Sequence, residues 1–167
     1  MHETLIRHAE PEDYQPIIAV LDHWWGRQLT HMPHKLFFIH FRDTSFVVEE
    51  EGKLIGFLAG FLSQTFLDEA YIHFVGVHPE RRKAGIGRKL YERFFDAASK
   101  NGRNTVRCIT SPVNKASIAF HLRLGFEIEP QETEVDGIPV YRNYDGRGSD
   151  RVLFVKRWIP QKQSLRH

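Results

Sequence analysis

The residues richest in chemical possibility lie between 70 and 89, AYIHFVGVHPERRKAGIGRK. Arg82-Lys83-Ala84-Gly85-Ile86-Gly87 joins a stretch of strand character to one of helical periodicity. Small residues at a helix start leave backbone N–H groups uncovered, which suits a phosphate. Spacing narrows the kind of phosphate site. A Walker loop needs Gly-x4-Gly-Lys-Ser/Thr, and a dinucleotide fingerprint needs a third glycine where Leu90 stands. Neither fits, which leaves Arg-x-x-Gly-x-Gly after a strand and before a helix, with a plain tight turn as the bland alternative. A second cluster follows at Asn114, Ser117 and His121, whose spacing of i, i+3 and i+7 puts them on one helical face. Asn114 reads as the N-cap of that helix, accepting from the N–H of Ala116 or Ser117, and Gly125 as its stop. The ten histidines show no metal-ligand pattern, so no metal is expected. Cys108, the one cysteine, reads as a small buried apolar residue, since nothing marks it as an activated thiolate.

On these residues the chain resembles the GNAT superfamily of acyl-CoA N-acyltransferases. Residues 75–87, VGVHPERRKAGIG, are similar throughout to that family's acyl-CoA motif, hydrophobic-x-Val-x-Pro, a charged turn, then Arg/Gln-x-x-Gly-x-Gly/Ala. Residues 114–126, NKASIAFHLRLGF, are similar to its second signature, Asn-x-x-Ala-x-x-Phe-Tyr-x-x-Leu-Gly-Phe, and depart from it at His121, where many members carry a tyrosine. The resemblance implies a mixed α/β (α+β) fold with a mostly antiparallel central sheet flanked by helices and a strand-turn-helix pyrophosphate site. It implies acetyl-CoA as co-substrate, bound by Val75, Val77, Arg82, Lys83, Ala84, Gly85, Gly87, Arg88, Asn114, Ser117 and Phe120. Backbone N–H groups of residues 82–88 would take the pyrophosphate, with charge from Arg82 and Lys83, and backbone groups near Val75 and Val77 would pair with the pantetheine arm. Gly76 is expected at or beside a β-bulge that splays this strand from the one beginning at Thr105.

The chemistry so implied is transfer of an acetyl group to a primary amine by direct attack on the thioester. An alkyl amine with a pKa of about 10.4 must lose a proton first, so a base is needed. Strand alternation would put Tyr71, His73 and Val75 on one face and Ala70, Ile72 and Phe74 on the other. His73 is the best base, because an unperturbed imidazole, with a pKa of about 6.5, is mostly neutral near neutral pH. Arylalkylamine N-acetyltransferases carry a His-x-His pair at what look like the Tyr71 and His73 positions, and a hydrogen-bonded histidine on a half-buried strand is the alternative. His121, in the place of the family's tyrosine, is expected to protonate the departing thiolate or hold the thioester. Tyr71, His73 and His121 are therefore the catalytic candidates, and Trp25, Arg27 and Tyr141 the candidates for acceptor binding. Trp24 is expected in the core.

The elements that must position these groups follow from periodicity and punctuation. Residues 71–77 are β-branched and aromatic and end at His78-Pro79, since proline cannot continue a central ladder. Ile86, Leu90, Phe94 and Ala98 recur at helical spacing, with Tyr91 and Phe95 beside them. Residues 4–7 read as a first strand, and acidic and proline signals at 10–13 start a helix with Ile17, Ile18, Val20, Leu21 and Trp24 on its apolar face. A short helix is expected at 35–41, a hairpin over 46–50 and 54–61, a strand at 105–109, a helix at 114–124, a strand from 126 and a closing strand within 150–158. Residues 131–149 read as a long polar loop of functional character.

One domain over 1–167 suits a chain of 167 residues with 41% apolar and 13% aromatic content. No apolar run approaches the ~20 residues of a membrane helix, and residues 1–10 lack a secretory apolar region, so a cytosolic protein without membrane association is expected. A net charge of +2 is too mild to argue for nucleic acid. Three classes stay open: an N-acetyltransferase acting on a small-molecule or protein amine, as a monomer or a homodimer; an acyl-CoA sensor without turnover; and a nucleic-acid-associated domain using the basic turn.

Overall fold

The computed structural model describes residues 3–26 and 34–158. Its strands are β1 (Thr4–His8), β2 (Phe46–Glu50), β3 (Lys53–Leu62), β4 (Glu69–Val77), β5 (Thr105–Thr110), β6 (Glu127–Ile128), β7 (Thr133–Val135), β8 (Ile138–Val140) and β9 (Val152–Arg157). Its helices are α1 (Tyr14–Trp25), α2 (Ile86–Lys100) and α3 (Lys115–Arg123). Seven strands form one sheet in the order β1-β2-β3-β4-β5-β9-β6. Within it β4 and β5 run parallel and the other neighbouring pairs antiparallel, the mixed, mostly antiparallel architecture expected.

Each helix covers the sheet because its apolar residues recur at the helical period. Ile86, Leu90, Phe94 and Ala98 of α2 are all buried, in one core layer with Ile72, Val106 and Phe154 of the sheet and Ile118 of α3. Ile17, Leu21 and Trp24 of α1 fill a second layer on the opposite face, with Phe37, Phe38, Val47 and Phe57. Trp24 lies in this core as expected. Gly26, at φ 66°, ends α1 with its N–H on the Asp22 carbonyl. Helix α3 ends in a Schellman arrangement: Gly125 N–H reaches the Leu122 carbonyl at 3.0 Å and Phe126 N–H the His121 carbonyl at 3.1 Å.

The strand β4 departs from simple alternation, and the departure shapes the site. Ala59 pairs with Phe74 and Gly60 with Ile72, so His73 is an extra residue, a bulge. The expected bulge at Gly76 is therefore found three residues earlier, and the expected faces change with it. An inserted residue reverses the inward and outward sense of every position after it. Tyr71 packs on Phe61, His73 on Phe37 and Phe74 on Trp25, all towards the α1 layer, whereas Ile72 and Val75 belong to the α2 layer. Gly76 answers a different need. A Cβ there would lie 2.5 Å from the Trp25 ring and 2.6 Å from the Phe57 ring, so glycine is required for the close approach of α1.

Two further expectations are revised. The short helix expected over 35–41 is a single 3-10 turn, Lys35–Phe38, and a second, Arg42–Thr44, follows it; Phe37, Phe38 and Phe41 pack into the α1 layer. The stretch 131–149 contains the hairpin β7–β8, turning at Asp136 and Gly137 with φ of 53° and 77°. Among the described residues no helix is long and apolar enough to cross a membrane.

Candidate active site

Between β4 and β5 the ladder stops early. Glu69, Ala70 and Tyr71 pair with Thr105, Val106 and Arg107, and beyond Tyr71 the two strands part. The gap opens into a cleft of about 750 Å³. Tyr71, His73 and Val75 line one wall and Cys108, Ile109 and Thr110 the other. Asn114, Ser117 and His121 of α3 face it, Trp25 reaches it from α1, and Tyr144, Asp145 and Arg151 come from the segment before β9. The cleft thus gathers seven residues singled out in the sequence, Trp25, Tyr71, His73, Val75, Asn114, Ser117 and His121. Tyr141 is not among them. It is 47% exposed and packs edge-on against Tyr144, 5.3 Å between ring centres, and Tyr144 lines the cleft instead. Arg27 lies outside the described residues.

The glycine-rich turn leads into α2 just past the end of β4. Gly85 adopts φ 80° at the N-cap of α2, a conformation that costs an L-residue roughly 1–2 kcal/mol. The first intrahelical bond runs from Lys89 N–H to the Gly85 carbonyl, so the N–H groups of Gly85, Ile86, Gly87 and Arg88, with that of Lys83, have no partner among the described residues. A Cβ on Gly85 would meet nothing within 4 Å, whereas one on Gly87 would sit 3.2 Å from the Phe120 ring, the contact by which Phe120 joins this turn to α3. Uncovered donors at the positive end of a helix dipole fit a diphosphate group. The charge expected from Arg82 is turned elsewhere: its Nη2 donates to the Trp24 carbonyl at 2.8 Å, its Nε to the Val77 carbonyl at 3.2 Å, and its plane lies 5.5 Å from the Trp25 ring. Arg82 ties the negative end of α1 to the end of β4, which leaves Lys83, Arg88 and Lys89 as exposed cations beside the turn.

The two histidines sit in contrasting surroundings. His73, half-buried, stacks on Phe37 at 4.8 Å and an interplanar angle of 9°, with the His34 ring 5.9 Å away. His121 is 6% exposed and stacks on Phe154 at 4.5 Å. Its Nδ1 lies 2.7 Å from the Ser117 carbonyl, which can only accept, so Nδ1 carries the hydrogen. Its Nε2 then accepts from the Tyr91 hydroxyl at 2.8 Å. Burial lowers the His121 pKa below its ordinary value, and the imidazole is neutral near neutral pH. As arranged, His121 has no proton to offer at Nε2; the hydrogen belongs to Tyr91. Burial holds the Tyr91, Tyr71 and Cys108 protons in place by raising all three pKa values.

Tyr91 and Arg151 are polar cleft residues that sequence reasoning did not single out for function, and Tyr144 and Asp145 reach the cleft from the 131–149 stretch that was expected to be functional only as a segment. Tyr91 looks like any core position of an amphipathic helix. Asn114 caps α3 as expected, its Oδ1 accepting from Ser117 N–H at 3.2 Å. Among the described residues no group of three or more His, Cys, Asp or Glu side chains could hold a metal ion.

A sheet that parts between two parallel strands, with uncovered amides where the gap meets a helix, defines a class built to hold a long phosphate-bearing molecule across its middle. The chain belongs to the Acetyltransferase (GNAT) family, whose profile matches residues 4–126. It is similar to an uncharacterized N-acetyltransferase of Methanocaldococcus jannaschii, 39% identical over 89 residues, 51% of this chain and 39% of that protein. It is also similar to the L-2,4-diaminobutyric acid acetyltransferase of Nocardia farcinica, 33% identical over 80 residues, 48% of this chain and 42% of that one. The matched part thus spans about two fifths of the length of these relatives. In three dimensions it resembles the ribosomal-protein-S18-alanine N-acetyltransferase of Escherichia coli, with a TM-score of 0.70 and 22% identity over 99% of this chain and 100% of that one. At that identity the likeness is one of fold.

Proposed function

We propose that this protein is an N-acetyltransferase that moves an acetyl group from acetyl-CoA to a primary amine of a small molecule or a protein. The observation that carries the reading is the parting of β4 from β5 beyond Tyr71, beside the uncovered N–H groups at the start of α2. The co-substrate supplies a thioester carbonyl already activated towards an amine. Lys83, Gly85, Ile86, Gly87 and Arg88 hold its diphosphate through backbone donors, and the part of β4 beyond Tyr71 that has no β5 partner, near Val75 and Val77, pairs with its amide-bearing arm. His73, in the wall of the cleft, accepts the amine proton directly or through water. His121 keeps the Tyr91 hydroxyl in position, and that hydroxyl turns to donate a hydrogen bond to the departing thiolate, which takes up, through water, the proton released by the amine. The turn leaves the buried His121 Nε2 without its donor, at about 1–3 kcal/mol. The reading includes a single domain over 1–167 and a cytosolic setting, and it calls for neither nucleic acid nor membrane. A homodimer is compatible with it and not required. Release of free thiol from acetyl-CoA, followed across a panel of amines, tests the proposal: amine-dependent release is expected, and tight binding of acetyl-CoA with no release for any amine would favour a sensor instead.

A further inference from the structure

Among the described residues that line the cleft, Arg151 is the one guanidinium, and its placement goes beyond the acetyl-transfer chemistry. Arg151 stands where the segment before β9 closes on itself. Tyr141 N–H reaches the Arg151 carbonyl at 2.8 Å and Arg151 N–H the Tyr141 carbonyl at 3.0 Å. Within the loop so closed, Asp145 N–H bonds the Ser149 carbonyl at 3.2 Å, Asn143 N–H the Asp150 carboxylate at 2.8 Å, and Gly148 N–H the Asn143 side chain at 2.8 Å. The loop is internally bonded at each turn, so it presents Arg151 in one orientation at little entropic cost.

The guanidinium is itself held on two sides. Its Nε donates to Asp145 Oδ2 at 2.7 Å and its Nη1 to the Asp150 carbonyl at 2.8 Å. Nη2 has no partner among the described residues, and the side chain keeps 26% of its surface exposed in a cleft it lines together with Tyr71 and His73. Asp145 Oδ1 likewise has no partner among the described residues. A planar, oriented guanidinium with N–H groups to spare recognises a carboxylate, whose two oxygens match its fork. A neutral amide in the same place offers one weaker acceptor.

We propose that the acceptor is a free amino acid, its carboxylate bound by Arg151 while its amine is presented towards His73. This rests on the acetyltransferase reading above and narrows it to zwitterionic small molecules over internal protein amines and polyamines. Asp145 fixes the guanidinium in plane through its Nε.

The test measures thiol release from acetyl-CoA with mono- and diamino acids, the matching amino-acid amides, polyamines and short peptides with free N-termini. For the wild-type protein kcat/KM for the best free acid should exceed that for its amide by roughly 10- to 100-fold, the range of a charge-assisted hydrogen bond. Arg151→Met should remove most of that ratio, chiefly by raising KM for the acid, and Arg151→Lys should restore part of it. Acetyl-CoA affinity measured by calorimetry separates loss of the acceptor site from loss of the fold. Amides or peptides used as well as free acids by the wild-type protein, or equal losses for acid and amide in Arg151→Met, would overturn the proposal while leaving acetyl transfer standing. Bound acetyl-CoA with no thiol release for any amine would overturn both.

Discussion

Gly76→Ala places a single methyl group where the structure has no room for it. The new Cβ would lie 2.5 Å from Trp25 Cη2 and 2.6 Å from Phe57 Cε1, against about 3.5–4.0 Å for an ordinary carbon contact. Each ring must therefore retreat by about 1 Å or the strand must move. Phe57 is 1% exposed, stacked on Phe74 at 5.8 Å, and has nowhere to go. Trp25 is half-buried and can swing, but it then leaves the cleft wall and its seat beneath Arg82. Overpacking of this kind costs about 1–3 kcal/mol, and with one of two rings immobile the upper half of that range applies. Urea unfolding followed by tryptophan fluorescence should show the midpoint falling by about 1 M, since m for a small protein is about 1–3 kcal/mol/M. In a Trp25→Ala background the same substitution should cost less by about 1 kcal/mol, the two sites being coupled through contact. A wild-type midpoint for Gly76→Ala, or strict additivity with Trp25→Ala, would refute the argument that α1 is seated against the β4 backbone.

Three other outcomes follow from the site. His73→Ala should lose roughly 10²- to 10⁴-fold in turnover while retaining acetyl-CoA affinity, and its pH optimum should move upward because the variant depends on amine already neutral in solution; an unchanged pH profile would remove His73 from the chemistry. Gly85→Glu sets a carboxylate beside the uncovered N–H groups of α2 in a φ 80° conformation, and calorimetry should show acetyl-CoA affinity lost, whereas Gly85→Asn, which tolerates that conformation, should keep most of it. His121 has its pKa lowered by burial, so the unfolded chain binds a proton at higher pH than the native one does. Native stability should accordingly decline as the pH falls from about 6.5 towards the lowered value, and His121→Gln should flatten that part of the stability profile measured by urea; an identical slope in the variant would contradict the neutral, buried imidazole.

Much of the strand-turn-helix at 69–100 was legible because its boundaries are written in residues with hard steric rules. Pro79 ends the strand, Gly85 supplies the left-handed N-cap, and Ile86 to Ala98 repeat every four residues. The capping role of Asn114 and the stop at Gly125 were legible for the same reason. The bulge at His73 was not, because inserting one residue into a long strand changes no composition and breaks no propensity; only the register with β3 reveals it. That register in turn decided which of Phe74 and Val75 shares a face with His73. The β7–β8 hairpin did carry a signal, the Asp136-Gly137 pair, which the polar character of its surroundings obscured. Tyr91 enters the cleft from the helix that follows β4, whose pattern reads wholly as core, and Arg151 from a segment far along the chain on the other side of the parted strands. Long-range placement like that of Arg151 leaves no local mark.

The parted ladder has a consequence for the order in which the molecule is assembled. Strands β1 to β4 include two local hairpin pairings, β2 with β3 and β3 with β4, which can form soon after their residues leave the ribosome. Strand β5 has no such neighbour. Its parallel partner offers it three residues, and its other edge belongs to β9, more than forty positions later in the chain. Until β9 arrives, β5 is a nascent strand with most of both edges bare, the kind of segment that recruits other chains. Its middle carries Arg107, which bonds Glu69 across the three-residue ladder at 2.9 Å and Glu129 on the far side. A charge at that position discourages pairing with a stranger while it waits, and clips β5 to β4 when the right partner is in place.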